Sequence, residues 1–381
     1  MGVKVCLSAD TLGYPEGGGH QSVYLNWALG LREVGCDVIW LEGVSAKASE
    51  QTILSNVSKL KQRLEHYGLA KCLALYSRGS QNLQTEKYGC LDFDAATEAD
   101  LLLNLQYGMP GSLVDRFRRS ALLDIDPGRL QIWISEGQIQ VAQHDVYLTT
   151  GETVGASGSR FPDGGLKWGY TPPCVVLDWW SPNHNLPDKS LNDVPYSTLV
   201  HWSDKEDWMV YGNESYINDK RTAFLPFLNL PRLVSQPLEI ATYLCALDEE
   251  EKEELLRLGW RLRESLEVAS TPWDYQRYIQ SSRGEFSCAR PSCIRLQNAW
   301  ISDRTICYLA SGKPAVVQHT GPSRFLPDQA GLFRFRDMEE AVNSIETIAA
   351  DYDHQSRSAR ALAEEFFDAR KVVKGVLEQA L

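Results

Sequence analysis

Hydrophobic and polar residues along the chain follow first a strand period and then a helix period. Val3 to Ala9 alternates in the manner of a strand, and a glycine-containing loop occupies positions 10–20. From Gln21 to Val34 the apolar residues recur at helical spacing, and Gly35 is typical of a helix end. Cys36 to Leu41 is a second strand-like run. This order predicts a βαβ unit with a glycine-rich loop at the carboxyl end of its first strand.

The alternation of strands and helices continues along the rest of the chain. In the first half we predict strands at Leu101–Leu105, Ala121–Ile125, Val146–Thr149 and Cys174–Leu177, and helices near Ser49–His66, Ser112–Arg119 and Glu136–Gln143. A stretch rich in Pro, Asp and Asn at Ser181–Asp193 is the best candidate for a linker. In the second half we predict strands at Thr198–Trp202, Leu238–Leu244 and Ala315–Val317, and helices at Asp248–Leu258, Asp303–Ala310, Met338–Ala350, Gln355–Phe367 and Arg370–Leu381.

These elements predict an α/β protein of two Rossmann-like domains that face each other across a cleft. The first domain is expected over residues 1–185 and the second over 186–368. The terminal helix, 369–381, is expected to pack back toward the first domain. A length of 381 residues suits two domains of ordinary size.

Composition and charge narrow the class of protein. Hydrophobic residues make up 43% and charged residues 23% of the chain, which is typical of a folded globular protein. The net charge of -12 opposes binding to nucleic acid and to anionic membranes. We see neither a run of about 18 apolar residues nor a signal peptide. Nine cysteines without metal-site spacing indicate reduced thiols. We therefore expect a cytoplasmic protein with no nucleic-acid partner and no membrane span, and leave its oligomeric state open.

The glycine triplet Gly17, Gly18 and Gly19 is the first candidate ligand site. Glycines allow a backbone to approach a ligand closely, and the N-terminus of the following helix attracts anions. As a nicotinamide-dinucleotide fingerprint the loop would need a third glycine at Ser22 and a ribose contact from Glu42. Because Ser22 is not glycine and the triplet comes about eight residues after the strand, another kind of ligand is favoured.

His20 is the candidate general base. It follows the glycine triplet, where its ring could remove a proton from the hydroxyl of a substrate in the cleft. An orienting carboxylate is expected from Asp124 or Asp126, which end a predicted strand. The alternatives are that His20 only hydrogen-bonds the loop and that Asp-Pro-Gly at 126–128 only forms a turn.

A second constellation lies around the predicted helix at Asp303–Ala310. Ser302 is a suitable N-cap, and Asp303, Arg304 and Thr305 fill the first turn. A cation there opposes the helix dipole, so Arg304 is better placed to neutralise a bound diphosphate than to stabilise the helix. The alternative is that Arg304 pairs with a surface carboxylate. Trp300 is the aromatic neighbour of this site.

The second half carries a family resemblance. Its Ser302–Gly321 segment, with Gly312-Lys313-Pro314 before a strand and Thr320-Gly321 after it, resembles the C-terminal donor domain of GT-B-fold glycosyltransferases. The loop that carries His20 resembles the acceptor-side loop of the same superfamily. The resemblance implies that Ser302, Arg304 and Thr305 lie at a nucleotide diphosphate, that His319, Thr320 and Gly321 lie near the donor sugar, and that His20 acts as the base with Asp124 or Asp126. Asp303 and Trp300 are also expected to be substrate-binding residues.

The resemblance also implies a function, a hexosyltransferase that moves a sugar from a nucleotide-diphosphate donor to a small-molecule hydroxyl. It requires no metal and no cofactor besides the nucleotide-sugar co-substrate, so Asp92-x-Asp94 and Asp124-x-Asp126 are interpreted as non-metal pairs. Many family members carry a glutamate that grips the nucleotide ribose where this chain has Cys307. The alternatives are a sugar-nucleotide epimerase of the same fold and a non-catalytic sugar-nucleotide-binding protein.

Overall fold

The protein contains two parallel β-sheets, each flanked by helices, which confirms the predicted α/β class. A computed structural model describes residues 2–79, 83–182, 193–203, 207–328 and 330–381. The predicted domain boundary at 185/186 and most of the predicted linker lie outside these ranges.

The first sheet is built from the N-terminal half. Its strands are β1 (Lys4–Ala9), β2 (Asp37–Val44), β3 (Leu73–Ser77), β4 (Leu101–Asn104), β5 (Ser120–Asp124), β6 (Val146–Thr149) and β7 (Trp168–Tyr170). They pair in the order β3-β2-β1-β4-β5-β6-β7, with every pairing parallel. Its helices are α1 (Gly18–Glu33), α2 (Glu50–His66), α3 (Phe93–Thr97), α4 (Gly111–Val114) and α5 (Arg129–Ser135). Three consecutive leucines of β4 are fully buried, as both faces of a parallel sheet require.

The second sheet is built from the C-terminal half, in the order β12-β11-β8-β13-β14-β15. Its strands are β8 (Tyr196–Leu199), β11 (Leu238–Thr242), β12 (Arg261–Glu264), β13 (Gly284–Ser287), β14 (Ala315–Gln318) and β15 (Leu332–Phe335), while β9 (Trp208–Tyr211) and β10 (Glu214–Ile217) form a separate antiparallel hairpin. The helices are α6 (Lys220–Phe224), α7 (Glu249–Leu258), α8 (Ser265–Ala269), α9 (Pro272–Gln280), α10 (Pro291–Leu296), α11 (Asp303–Ala310), α12 (Met338–Ala350), α13 (Tyr352–Leu362) and α14 (Ala369–Ala380).

Each sheet reverses its winding direction at its first strand. β1 lies between β2 and β4, and β8 lies between β11 and β13. In open parallel sheets, ligands bind outside the carboxyl ends of the strands at such a reversal. The loops that follow β1 and β8 are therefore where a ligand site is expected.

Two predicted elements are wrong. The helix expected at Glu136–Gln143 lies earlier, at α5, and Gly137 with φ 68° follows its end. The strand expected at Cys174–Leu177 is outside both sheets. Val175 instead exchanges backbone hydrogen bonds with the chain just before α14, donating to the carbonyl of Phe367 and accepting from Ala369.

The last helix packs on the first. A Cβ atom added to Gly30 of α1 would lie 2.8 Å from the Cβ of Ala369 in α14. Val372, Val373 and Val376 of α14 belong to the same hydrophobic core as β1 and α1. The chain therefore returns to the first domain after it has completed the second sheet.

The hydrophobic cores hold much of the aromatic content. Trp27, Trp40 and Trp202 are fully buried, which assigns these tryptophans to packing. No helix within the described ranges is long and apolar enough to cross a membrane.

Candidate active site

Two adjoining cavities lie between the domains, and a narrow crevice of the second domain adjoins one of them. The central cavity, of about 240 Å³, is bounded by α1 of the first domain and by α9 and α11 of the second. It shares Ser302 and Arg304 with a narrow crevice at the first turn of α11. It shares Gly19, His20 and Leu199 with a larger cavity of about 520 Å³ on the other side. The crevice itself is small, at about 20 Å³, so a ligand would lie mainly in the two larger cavities.

The glycine triplet lets the two domains approach each other closely. A Cβ atom on Gly18 would lie 2.2 Å from the carbonyl oxygen of Thr271. Gly17 leaves room for the ring of Tyr14, and Gly19 faces Tyr275. The close approach that the glycines allow is thus made to the second domain. Direct ligand binding by Gly17, Gly18 and Gly19 stays a prediction, since all three also line the 520 Å³ cavity.

A buried carboxylate fixes the loop in front of this triplet. Glu42 is fully buried and accepts hydrogen bonds from the backbone N–H groups of Thr11 and Leu12, the Thr11 hydroxyl and the Trp40 indole. Burial raises the pKa of Glu42, and these hydrogen bonds oppose that rise. Because its carboxylate is enclosed, Glu42 cannot grip a ribose, and the dinucleotide interpretation is wrong.

His20 lies exposed at the junction of the central and the larger cavity. Its Nε2 atom is 2.7 Å from the carbonyl oxygen of Asp10. A carbonyl only accepts, so Nε2 carries the proton and Nδ1 of the neutral ring is the acceptor. This orientation leaves Nδ1 as the atom that could take a proton from a substrate.

The predicted pairing of His20 with Asp124 is wrong. Asp124 is fully buried, and the partners that the structure describes for its carboxylate are Gln131, Thr149, Tyr107 and the Asp126 N–H, not His20. Burial raises its pKa to about 6, against the effect of these hydrogen bonds. The reason lies in the strand order. β4 separates β5 from β1, so the two strand ends are about 10 Å apart.

Asp126 does not replace Asp124 as the partner of His20. Its side chain lies 3.8 Å from Arg129 in an (i, i+3) ion pair, and residues 126–128 lead into α5. The alternative given for this segment, a turn, is what the structure contains. In the other Asp-x-Asp pair, Asp92 caps α3, and Asp94 pairs with Arg116 at 2.9 Å.

Arg304 is engaged within its own domain. Its Nε donates to buried Glu285 at 2.8 Å, one terminal nitrogen donates to the Leu199 carbonyl at 2.7 Å, and the other to the Ser287 hydroxyl. Arg304 therefore already has a buried ionic partner in its own domain, and its role at a diphosphate stays a prediction. Ser302 caps the N-terminus of α11 as predicted, accepting from the Arg304 N–H at 3.2 Å. Thr305 is buried behind them.

The cation that does face the crevice is Lys220, which sequence reasoning missed. Its Nζ donates to the Cys288 carbonyl at 2.6 Å and lies 5.9 Å from the ring centroid of half-buried Trp300. Burial, with smaller effects from Arg304 and Arg290, lowers the pKa of Lys220 to about 7. The signal that pointed to Arg304 is a cation in the first turn of a helix after a polar N-cap. The same signal is present at Asp219-Lys220.

The loop that leads into α11 holds strained backbone. Gln297 and Ala299 have φ values of 52° and 57°, although neither is glycine. Between them, buried Asn298 donates to the carbonyl of Pro127 in the first domain at 2.7 Å. Backbone strain of this kind persists only where the surroundings hold it, and it concentrates at functional sites.

The loop after β14 packs against the strained segment at residues 297–300. The Thr320 hydroxyl donates to the Trp300 carbonyl at 2.6 Å, and a Cβ atom on Gly321 would lie 2.5 Å from the Gln297 carbonyl oxygen. The half-buried ring of His319 accepts from the Gly321 N–H through Nδ1. Burial, Arg334 and Arg336 lower the pKa of His319. The predicted sugar-binding residues are thus brought next to Trp300, while their contact with a sugar stays a prediction.

Asp303 and Cys307 face the central cavity one helical turn apart. The half-buried Asp303 carboxyl has its pKa raised to about 6 by burial. The Cys307 thiol is buried and lies 3.9 Å from the side-chain nitrogen of Asn26, across the domain interface. Asp303 therefore places a carboxyl group in the cavity one helical turn before Cys307, the position at which the family resemblance leads us to expect a ribose-binding glutamate.

Comparison with known proteins finds similarity in structure only. Neither a protein-family model nor a curated protein matches the sequence. Three solved structures match along nearly their whole lengths. Anabaena HepE in complex with UDP and glucose is 12% identical, with a TM-score of 0.58 over 99% of this chain and 98% of that chain. Sucrose-phosphate synthase from Thermosynechococcus elongatus is 11% identical, with a TM-score of 0.54 over 99% of this chain and 98% of that chain. An alpha-glucosyltransferase in complex with UDP-glucose and DNA containing an abasic site is 10% identical, with a TM-score of 0.59 over 99% of both chains. At these identities the likeness establishes the fold, which is the predicted two-domain GT-B fold.

Proposed function

We propose that this GT-B-fold chain is a glycosyltransferase that moves a hexose from a nucleoside-diphosphate sugar to a small-molecule hydroxyl, without a metal. The observation that carries the proposal is Lys220, a half-buried cation of α6 in the crevice at the first turn of α11, which adjoins the cavity between the two Rossmann-like domains. Structures of similar fold were solved with UDP, with UDP and glucose, and with UDP-glucose.

The crevice at α11 is suited to a diphosphate. Lys220 is repelled by Arg304 and Arg290, and an anion placed among them would relieve that repulsion. The N-terminus of α11 adds its positive dipole end and the N–H groups of its first turn. We place the diphosphate at Lys220 and the first turn of α11, next to the central cavity that Asp303 and His20 line.

The proposed reaction is displacement at the anomeric carbon. The acceptor oxygen forms a bond to that carbon while the bond between the carbon and the diphosphate oxygen breaks. The electron pair leaves with the diphosphate, and Lys220 and the α11 N–H groups stabilise the charge that develops there. The acceptor proton passes to Nδ1 of His20, whose Nε2–H is held by the Asp10 carbonyl.

Charge favours a small-molecule acceptor over a nucleic acid. One structure of similar fold binds DNA, but this chain has 50 acidic and 38 basic side chains. A net charge of -12 repels a phosphate backbone over the whole surface. A local cluster of cations can still hold one diphosphate, because the positive charge is concentrated in a cleft.

Binding of nucleoside diphosphates to a matched pair of lysine variants tests the site. We expect at least one of UDP, GDP, ADP and dTDP to raise the melting temperature of the wild-type chain. Lys220→Gln should weaken calorimetric affinity at least about tenfold, because it removes a charge-assisted contact. Lys374→Gln, an exposed position on α14, should change nothing. Equal affinity in both variants would exclude Lys220 from the site.

The epimerase alternative is separated by incubating the protein with each nucleotide sugar and no acceptor. An epimerase would convert the donor sugar, and NMR of the anomeric proton would show the new isomer. The proposed transferase leaves the donor sugar unchanged in configuration until an acceptor is added.

A further inference from the structure

Another cavity, of about 510 Å³, lies in the second domain and apart from the cleft. It is bounded by β15 and the residues just before it, by α12 and by the first turn of α13. Its described lining residues include none that line the two cleft cavities or the crevice at α11. A volume of about 510 Å³ is within the range of small-molecule sites. This cavity, which we call the outer cavity, can therefore hold a ligand of its own.

Two buried side chains of the outer cavity carry donors that are not used within the protein. The Arg334 side chain is 8% exposed, its Nε donates to Asp328, and its Nη1 donates to the Gly321 carbonyl at 3.0 Å. Gln355, also 8% exposed, accepts from the Gly331 N–H at 2.8 Å through its side-chain oxygen. Among the described residues, neither Nη2 of Arg334 nor the side-chain nitrogen of Gln355 has an acceptor. Because both side chains line the outer cavity, ligand oxygens there could accept from both.

The wall formed by α12 supplies hydrogen-bond acceptors. Glu340, Asn343, Ser344 and Thr347 form one stripe along this helix, at spacings of three and four residues, and all four line the outer cavity. The Ser344 and Thr347 hydroxyls donate to the backbone carbonyls of Glu340 and Asn343 at 2.6 and 2.7 Å, which leaves their oxygens as acceptors. The amide of exposed Asn343 can both donate and accept. A ligand in the outer cavity therefore meets donors on one side and mainly acceptors on the other.

The charges of the outer cavity cancel in pairs. Arg334 pairs with Asp328, and Arg336 pairs with Glu340 at 3.4 Å, so these four side chains carry no net charge. A phosphate or carboxylate ligand would be attracted by the arginines and repelled by the carboxylates. A neutral ligand with many hydroxyls meets no such repulsion, because each hydroxyl can donate to a carboxylate and accept from an arginine or an amide. The lining therefore favours a neutral, polyhydroxylated ligand over an anion.

We infer that the outer cavity is a saccharide-binding site, separate from the site in the cleft. The sugar hydroxyls accept from Arg334 and Gln355 and exchange hydrogen bonds with the polar side chains of α12. Phe333 also lines the outer cavity and adds apolar surface, against which the C–H groups of a sugar ring can pack. This inference goes beyond the proposed function and does not depend on it, because it shares no residue with the cleft.

The test titrates the protein with glucose, galactose, N-acetylglucosamine, maltose and sucrose, and with inorganic phosphate as the anionic probe, by ligand-observed NMR. We expect wild type to bind at least one saccharide. Asn343→Trp places a large side chain at an exposed position that faces the outer cavity, and should weaken that binding at least about tenfold. Ala350→Trp, exposed on the same helix but outside the outer cavity, is the matched control and should bind like wild type.

Smaller changes test the hydrogen bonds themselves. Thr347→Val removes one exposed hydroxyl at nearly constant volume, and loss of one hydrogen bond to an uncharged ligand predicts affinity about 2- to 10-fold lower. In isotope-labelled protein, the saccharide should shift the side-chain amide signal of Gln355, which is identified by its loss in Gln355→Glu. The signal of Gln138, an exposed glutamine of the first domain, should not move.

Three results would overturn the saccharide site. Wild type could bind none of the saccharides, or Asn343→Trp could bind them as well as wild type, which would place them elsewhere. Inorganic phosphate alone could bind and be lost in Asn343→Trp, which would make the outer cavity an anion site. Nucleoside diphosphate binding should be equal in wild type and Asn343→Trp, so each of these results would leave the proposed function standing.

Discussion

Lys220 and Arg304 are both cations in the first turn of a helix, and their surroundings give them different tasks. Arg304 donates to Glu285, Ser287 and a backbone carbonyl, so its charge is compensated inside the second domain. Lys220 has a carbonyl partner and two cationic neighbours, so its charge is poorly stabilised. A cation in that state gains most from an anionic ligand. The two residues look alike in the sequence because the difference comes from residues far away along the chain.

Nucleotide affinity should therefore depend on pH through Lys220. The pKa of Lys220 is lowered to about 7 in the free protein, and a bound diphosphate favours its charged form. Below pH 7 the lysine is already charged, whereas above pH 7 binding must take up a proton. We expect calorimetric affinity to fall between pH 7 and pH 9, by at most about tenfold per pH unit.

The nucleotide itself does not produce this fall, because the second pKa of a phosphate, about 6, lies below that window. Lys220→Gln should bind weakly at every pH, with a flat profile over the same range. A fall of equal size in Lys220→Gln would contradict the assignment.

The sequence predicted the helix at Asp303–Ala310 to the residue, because capping is local chemistry. It did not predict which side chains meet. His20 and Asp124 both follow strands, but β4 lies between those strands, and the strand order is not visible in local patterns. Lys220 was missed for the same reason, since only the fold brings α6 next to α11.

At the scale of elements, the start of α1 is held between the two domains. The loop before it is anchored by Glu42, and its first residue, Gly18, touches the backbone that leads into α9. The sequence indicated a glycine-rich loop at this place and attributed it to ligand approach. In the structure, Gly18 of this loop is needed for contact between the domains. Sequence patterns do not distinguish ligand approach from domain contact, because both require the absence of a side chain.

Gly18→Ala should disturb the cleft more than the first domain. Its new Cβ would lie 2.2 Å from the Thr271 oxygen and 2.5 Å from the Ala269 oxygen, both backbone atoms, so the domains must move apart. We expect a loss of about 1–3 kcal/mol in the free energy of unfolding and weaker nucleotide binding, measured by denaturation and calorimetry. Gly13→Ala in the same loop meets no atom within 4 Å and should behave as wild type. Equal behaviour of the two variants would contradict the packing role.

At the scale of the whole molecule, the two domains are joined at several points around the cleft. Buried Glu152 of the first domain accepts from the Ser323 hydroxyl at 2.7 Å and from the backbone and side chain of Arg324 at 2.8 Å. Asn298 of the second domain donates to the Pro127 carbonyl. The domains are thus in contact around the cleft, and both of them line the central and the larger cavity.

Glu152→Ala should favour a more open molecule. It leaves the Ser323 hydroxyl and the Arg324 N–H without their acceptor, at a cost of about 1–3 kcal/mol to the domain contact. We expect a larger radius of gyration in small-angle X-ray scattering and a higher KM for the donor. Glu136→Ala, at an exposed position, serves as the control. An unchanged radius and KM would show that Glu152 does not hold the domains together.

The central claim, transfer of a sugar from a nucleotide donor, is tested most directly by measuring release of nucleoside diphosphate from a panel of nucleotide sugars and small hydroxyl acceptors. The account predicts that one donor releases its diphosphate in an acceptor-dependent reaction that continues without added metal in the presence of a chelator. Lys220→Gln should slow that reaction at least about tenfold. Release that is independent of every acceptor and unchanged in Lys220→Gln, or a chain that no nucleotide sugar stabilises, would contradict the account.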